Sequence, residues 1–405
     1  MTEQAKVPAI RFAGFTDPWE QRKLSEVATF GGGHTPPMAD PDNYEDGYVL
    51  WVTSQDVKSN YLDRTTTQIT EKGAKELTLY PAGSLVMVTR SGILRHTLPV
   101  AELRKPSTVN QDIRVILPQG ECCGEWLLQF FISHNKELLL EFGKTGTTVE
   151  SVDFGKIKDM LLYMPSTVEQ QQIGDFFAKL DSLITLHQRK YDKLVIFKKS
   201  MLEKMFPKDG ESVPEIRFAG FTDPWEQRKA SEVFQIVDDR GHPTLPVLSA
   251  TQNQGMIYRD DSGRYIGHDE SNEIGYKRVL PGDFVVHLRS FQGGFAHSQY
   301  EGITSPAYTV FRAKEPTSHS DRFWKHWFMS EHFIAGLSTV TYGIRDGRSI
   351  SVDEFMNTFL AFPAVEEQAA ISRLFDYLDD LITLHQRKLE LLQNIKKSLL
   401  DKMFA

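Results

Sequence analysis

Cysteine is nearly absent. The 405 residues hold two, and they are neighbours, Cys122 and Cys123. Adjacent cysteines are poor disulfide partners, and neither starts a CxxC pair of the kind that holds zinc. A reduced, cytoplasmic setting is expected. Long apolar runs are absent too: no stretch of 18 such residues exists, so no membrane-spanning helix is expected. The start, MTEQAKVPAI, lacks a basic cluster followed by an apolar core, so no export signal is expected. Catalytic signatures are missing as well. There is no GxGxxG between a strand and a helix, no HExxH and no GxSxG. Gly31-Gly32-Gly33-His34 opens like a phosphate loop but lacks the following GK[ST] and runs into Thr35-Pro36-Pro37. The Asn-Pro-Pro-aromatic run that amino-methyltransferases use around a flipped base is not found. Thr35-Pro36-Pro37-Met38 has the wrong chemistry at both ends. The chain is expected to bind no metal or cofactor and to be no enzyme by itself. Its net charge of −8 argues against a uniformly basic, nucleic-acid-binding surface, so any such surface must be local.

What is present is repetition. IRFAGFTDPWEQRK from Ile10 to Lys23 recurs from Ile216 to Lys229, at an offset of 216 − 10 = 206. LDSLITLHQRK from Leu180 answers LDDLITLHQRK from Leu378, at 378 − 180 = 198, and KKSMLEKMF answers KKSLLDKMF. Two alike frames therefore enclose two unlike inserts, Ala28 to Met164 and Phe234 to Phe362. In such a chain the frames hold something and the inserts choose something. Asp17 and Asp223, each before a proline and three positions before Glu20 and Glu226, suggest a capped turn in each frame.

Each second frame repeat carries a 4-3 apolar alternation, the seam of a coiled coil. In the first copy it includes Ile173, Phe177, Leu180, Ile184, His187 and Leu194. In the second it includes Ile371, Phe375, Leu378, Ile382, His385 and Leu392. Ser166-Thr-Val-Glu169 is a capping box, so the first helix is expected to start just after Pro165, and the second after Pro363. Helices of about 40 residues, roughly 60 Å, exceed what either insert needs for its own core. Antiparallel pairing of the two copies, with a pseudo-twofold internal repeat, is the simplest arrangement. The seam histidines are read as register-setting polar residues.

The inserts alternate short apolar runs with Gly, Pro, Asn and Asp, and contain helical stretches from Glu125 to Phe142 and from Asp321 to Leu337. The fold class expected is α+β: two recognition domains with bent mixed sheets, separated and joined by two long antiparallel coiled-coil helices. The expected divisions are 1–165, a central helix 166–207, a linker 208–215, 216–363, and a C-terminal helix 364–405. Polar side chains cluster at strand ends. In the first insert they are Thr53, Ser54, Gln55, Arg90, Ser91, Asn110, Gln111, Lys144 and Thr145. In the second they are Thr251, Gln252, Arg289, Ser290, Gln292, Ser305, Tyr308, Tyr342, Arg345 and Arg348. These residue types read base edges in a DNA groove, Arg favouring guanine and Asn or Gln favouring adenine. From Arg90 to Arg114, five cations face two acids, a local net of +3 in an acidic chain.

This arrangement resembles the specificity (S) subunits of type I restriction-modification systems over nearly the whole chain. The resemblance rests on the duplicated frame, on Pro165…Glu169-Gln170…Ile173 and Pro363…Glu367-Gln368…Ile371, and on LDSLITLHQRK with its twin. Gly33…Thr35-Pro36, Trp51-Val52-Thr53-Ser54-Gln55-Asp56, Asn110-Gln111 and Ser305-Pro306-Ala307-Tyr308 add to it. It implies a DNA-binding component of phage defence that is not catalytic by itself. Each recognition domain would read one half of a bipartite, asymmetric double-stranded DNA site, and the helices would fix the spacer. The implied partners are two modification subunits, which use S-adenosylmethionine for adenine-N6 methylation, and restriction motor-nuclease subunits using ATP with Mg2+.

Overall fold

The structure, a computed structural model, describes residues 8–145, 149–208, 210–251, 254–263, 270–286, 294–336, 341–342 and 349–404. The chain forms two compact units. One comprises Met1–Gln188 with Arg387–Ala405, the other Arg189–Gln386. Two long helices, Thr167–Lys204 and Val365–Met403, each contribute one portion to both units.

Each frame repeat closes its own insert. Glu20–Lys23 is a strand, antiparallel to Leu161–Met164, with Glu20 opposite Met164. Glu226–Lys229 pairs in the same register with Phe359–Phe362. The capped turn expected at Asp17 and Asp223 does not form. The backbone of Glu20–Lys23 is used by the strand leading into the long helix, and Asp17 and Asp223 offer their carbonyls to Arg11 and Arg217. Those arginines are clamps. Arg11 Nε and Nη2 donate to the two carboxylate oxygens of Glu169 at 2.8 and 2.7 Å, and Arg217 holds Glu367 the same way at 2.9 and 2.6 Å. Ser166 caps the helix by accepting from the Glu169 N–H, but the Glu169 carboxylate turns to Arg11 instead of completing a reciprocal box. A fork-to-fork pair is the stronger partner for a carboxylate that is 1% exposed.

The glutamines beside these glutamates tie the inserts down. Gln170 accepts from the Cys123 N–H and donates to the Pro165 carbonyl; Gln368 accepts from Ser320 N–H and donates to Pro363. Cys123 and Ser320 are the N-caps of the inserts' helices Gly124–Ser133 and Asp321–Trp327. The helical stretch expected over 125–142 is two helices that break at His134, and its counterpart resumes at Glu331–Gly336.

In unit 1 the two long-helix portions run antiparallel: Phe177 packs near Phe404, and Asp181 binds Lys396 at 2.6 Å. Unit 2 repeats the pattern with Phe375 against Phe206 and Asp379 on Lys198 at 2.5 Å. Ile173, Phe177, Leu180, Ile371, Phe375 and Leu378 are buried; Ile184, His187, Leu194, Ile382, His385 and Leu392 are half-buried. Trp19 and Trp225 lie in the respective unit cores.

Despite unlike sequences, the inserts share a strand order. In the first it is Ala28–Gly32, Ile113–Pro118, Leu85–Val88, Val100–Leu103, then a parallel Tyr61–Leu62. In the second it is Phe234–Val237, Thr309–Ala313, Phe284–Val286, Phe295–His297. Beside each, a threonine hydroxyl joins two further strands: Thr108 Oγ1 donates to Leu50 O at 3.0 Å, and Thr304 Oγ1 to Leu248 O at 3.3 Å.

Candidate nucleic-acid interface

The strand ends of the first insert meet along one rim. Val52 pairs with Val109, and Asn110 N–H donates to Val52 O. Thr89 donates through N–H and Oγ1 to Asp112 O at 2.8 and 3.0 Å. Arg90 bridges Ser151, which also pairs with Lys144. Thr53, Asn110, Gln111, Arg90, Ser91 and Lys144 are therefore brought together from residues about ninety positions apart in the sequence.

Their side chains do not all face outward. Gln55, Arg90, Gln111, Lys144 and Thr145 are exposed. Asn110 is 6% exposed: its Oδ1 accepts from Asp112 N–H, so it holds the turn and cannot itself be an outward reader. Thr53 donates its N–H and hydroxyl to Asp56 at 2.8 Å, closing the turn on which half-buried Ser54 and Gln55 ride. Ser91 caps the short helix Gly92–Arg95. Lys144 pairs with Asp153 at 2.9 Å, and Arg95 with Glu150 at 2.5 Å.

The glycine run explains how one further side chain reaches this rim. A Cβ on Gly33 would lie 1.8 Å from Val109 O, and one on Gly31 would lie 2.2 Å from Tyr80 Oη. Only glycine lets this backbone pass so close. Tyr80 Oη then donates to Gly32 O and accepts from its N–H. The run ends at Thr35, whose hydroxyl donates to Gln111 Oε1 at 2.7 Å.

The second insert builds the corresponding end with other residues. Thr251 donates to Gly255 O at 2.7 Å and closes a hairpin. Ser305 to Tyr308 form a turn, with Tyr308 N–H on Ser305 O. Lys277 Nζ donates to Tyr308 O at 2.7 Å; burial draws this ammonium below its ordinary range, opposed by Asp238. Arg240, beside Lys277, is exposed and pairs with Asp238 at 2.6 Å. Tyr342 lies in the strand Thr341–Tyr342, paired with Ser349–Ile350. Gln252, Arg289, Ser290, Gln292, Arg345 and Arg348 lie outside the described residues.

Two polar networks lie under the inserts. In unit 1, Tyr61 donates to Glu125; Arg104 binds Glu102 at 2.9 Å and reaches Glu125 at 3.6 Å; Lys396 binds Asp181. Three carboxylates thus face two cations. Burial, then the neighbouring Glu125, pushes Glu102 up to about 7 against the pull of Arg104. In unit 2, ligand atoms of His326, Asp376 and Asp379 lie within 4.8 Å of one another. The protein's own cations already engage the carboxylates: Arg322 bonds Asp376 at 2.9 Å, and Lys198 bonds Asp379 at 2.5 Å. Burial would raise Asp376, but His326 and Arg322 outweigh it and hold it below the carboxylate range.

Residues 16–195 match the Type I restriction modification DNA specificity domain. Over 408 residues the chain is 22% identical to the type I restriction enzyme MjaVIII specificity subunit of Methanocaldococcus jannaschii, covering 95% of this chain and 91% of that one. The likeness to type I restriction-modification specificity subunits thus runs through the first frame, its insert and most of the first long helix, and at lower identity along nearly the whole chain. The chain is also 29% identical over 186 residues to the EcoR124I/EcoR124II specificity subunit of Escherichia coli, but that match spans less than half of the relative, 46%. Its fold is shared with the type I restriction-modification S subunit of M. genitalium, at a TM-score of 0.59 and 10% identity over 99% of both chains.

Three rim residues, Thr35, Arg240 and Lys277, are not among the candidate readers named from the sequence. Thr35 does stand in the Gly33…Thr35-Pro36 stretch that carries part of the resemblance, but with no side-chain role attached to it. Arg240 and Lys277 sit 37 residues apart in unremarkable stretches, and only their β-bridge joins them.

Proposed function

We propose that this chain is the DNA-reading component of a type I restriction-modification complex. Each insert reads one half of a bipartite, asymmetric site, and the long helices set the unread spacer. One observation carries this reading: two inserts of unlike sequence present the same ends of the same strand order as polar rims, between nearly identical frames. Gln55, Arg90, Gln111 and Lys144 are the outward candidates in the first half, and Arg240, Lys277, Ser305 and Tyr308 in the second. Two half-sites on one face of B-DNA lie about one helical turn apart, roughly 34–36 Å.

Two modification subunits dock on the frames in this reading. Leu186 and Leu384, equivalent positions of the two copies, are 46% and 45% exposed on the long helices, which suits two equivalent apolar contacts. The modification subunits supply S-adenosylmethionine and the adenine-N6 chemistry, and motor-nuclease subunits supply ATP-driven cleavage. This chain supplies sequence choice and scaffold.

The test is an insert exchange. Replacing Ala28–Met164 with the corresponding insert of another specificity subunit, in cells carrying the complete system, should change one half of the methylated sequence and leave the other half intact. A change in both halves, or in neither, would sink the division of labour.

A further inference from the structure

Gln111 is exposed at the rim, in the turn between strands Thr108–Val109 and Ile113–Pro118. That turn is rigid. Asn110 Oδ1 caps Asp112 N–H, Asn110 N–H is tied to Val52 O, and Asp112 O accepts twice from Thr89. A glutamine side chain normally keeps both faces of its amide open and can serve as donor or acceptor. Here one lone pair of the oxygen is taken. The Thr35 hydroxyl donates to Gln111 Oε1 at 2.7 Å, and among the described residues Gln111 Nε2 has no partner. Thr35 is held in turn: Gly33 passes against the Val109 carbonyl at a distance only glycine permits, and Pro36 follows, with its carbonyl bonded by Tyr44 Oη at 2.6 Å.

We infer that Thr35 is a positioning residue that fixes the Gln111 amide so that its NH2 group, not its oxygen, is presented to DNA. Gln111 therefore contacts a hydrogen-bond acceptor through Nε2, while Oε1, with one of its two lone pairs taken by Thr35, keeps only the other for the two-pronged adenine contact open to a free glutamine. The acceptor is a base-edge atom, such as a purine N7, or a phosphate oxygen. This rests on the DNA-reading function proposed above.

The experiment uses the full chain assembled with its modification subunits, and the duplex site defined by the methylome of the wild-type system. Gln111→Glu, isosteric but without the donor, should lose about tenfold or more in affinity. Thr35→Val should lose a smaller part, and Thr35→Ser should restore it, with the unfolding midpoint of all three variants unchanged. Site duplexes carrying a 7-deazapurine or a single methylphosphonate then locate the acceptor. Wild-type binding should fall at one such position where Gln111→Ala binding does not. Coupling at a deazapurine assigns a base acceptor and predicts relaxed methylation at that position; coupling at a methylphosphonate assigns a phosphate. Full affinity in Gln111→Glu would overturn the inference. So would indifference to Thr35→Val while Gln111→Ala is impaired, or the absence of coupling at every position. If the wild-type complex shows no bipartite site at all, the proposed function has failed, and the orientation of Gln111 is not what failed.

Discussion

Glu102 is a single residue whose protonation is written into the fold. It is 6% exposed, lies beside Glu125 and shares Arg104 with it. Its folded value is raised to about 7 from an ordinary 4.5, so between those values the native state keeps a proton that the unfolded chain releases. Stability from this group is full below about 4.5 and is lost as the pH rises through 7. Glu102→Gln should remove that slope, and urea midpoints of wild type and variant should diverge between pH 5 and 8, the variant being the steadier. Arg11 gives a second residue-scale expectation. Arg11→Met leaves Glu169 charged, buried and unpaired, at a cost of about 3–5 kcal/mol in unit 1. The double change Arg11→Met, Glu169→Met should recover much of that loss in the same denaturation assay.

At the scale of elements, the long helices were the most legible feature. A 4-3 alternation repeats along them, and those positions are buried or half-buried in the folded chain. A capped turn is expected at Asp17, and the frame strand that follows it, Glu20–Lys23, is not legible because its partner, Leu161–Met164, lies about 140 residues on, beyond the reach of any local pattern. Arg11 and Glu169, 158 apart, were separately visible as repeated residues but not as a pair. The common strand order of the inserts left a faint trace, Leu50 against Leu248, because a packed sheet asks for apolar alternation and accepts many sequences that supply it. Among rim residues, composition found Gln111 and Arg90, but burial decided against Asn110 as an outward reader, and burial is not written in residue type. Two expectations belong here. Gly33→Ala forces a Cβ onto the Val109 carbonyl, which should destabilise unit 1 by about 1–3 kcal/mol and displace Thr35 from Gln111. Removing one heptad from a single long helix should break the seam and assembly, whereas removing one from both should shift the methylated spacer; an unchanged spacer in the paired variant would dispose of the ruler.

For the whole molecule, an acidic total of −8 coexists with rims that carry Arg90, Lys144, Arg240 and Lys277. Phosphate neutralisation on this reading is local and shared with the modification subunits. Binding of the assembled complex should therefore fall linearly in log–log terms with salt, and charge removal at Lys144 should reduce the slope by about one unit if it meets a phosphate. Filter binding between about 50 and 200 mM salt measures both. A slope near zero would favour an adaptor that does not engage nucleic acid.

The order of synthesis has a consequence in this architecture. Leu400, Met403 and Phe404 belong to the core of unit 1, where Phe404 stacks near Trp126. That core therefore stays open while the ribosome makes all of unit 2. The first unit is the last to be sealed, and a nascent chain halted before Arg387 should show a protease-sensitive first unit and a protected second one.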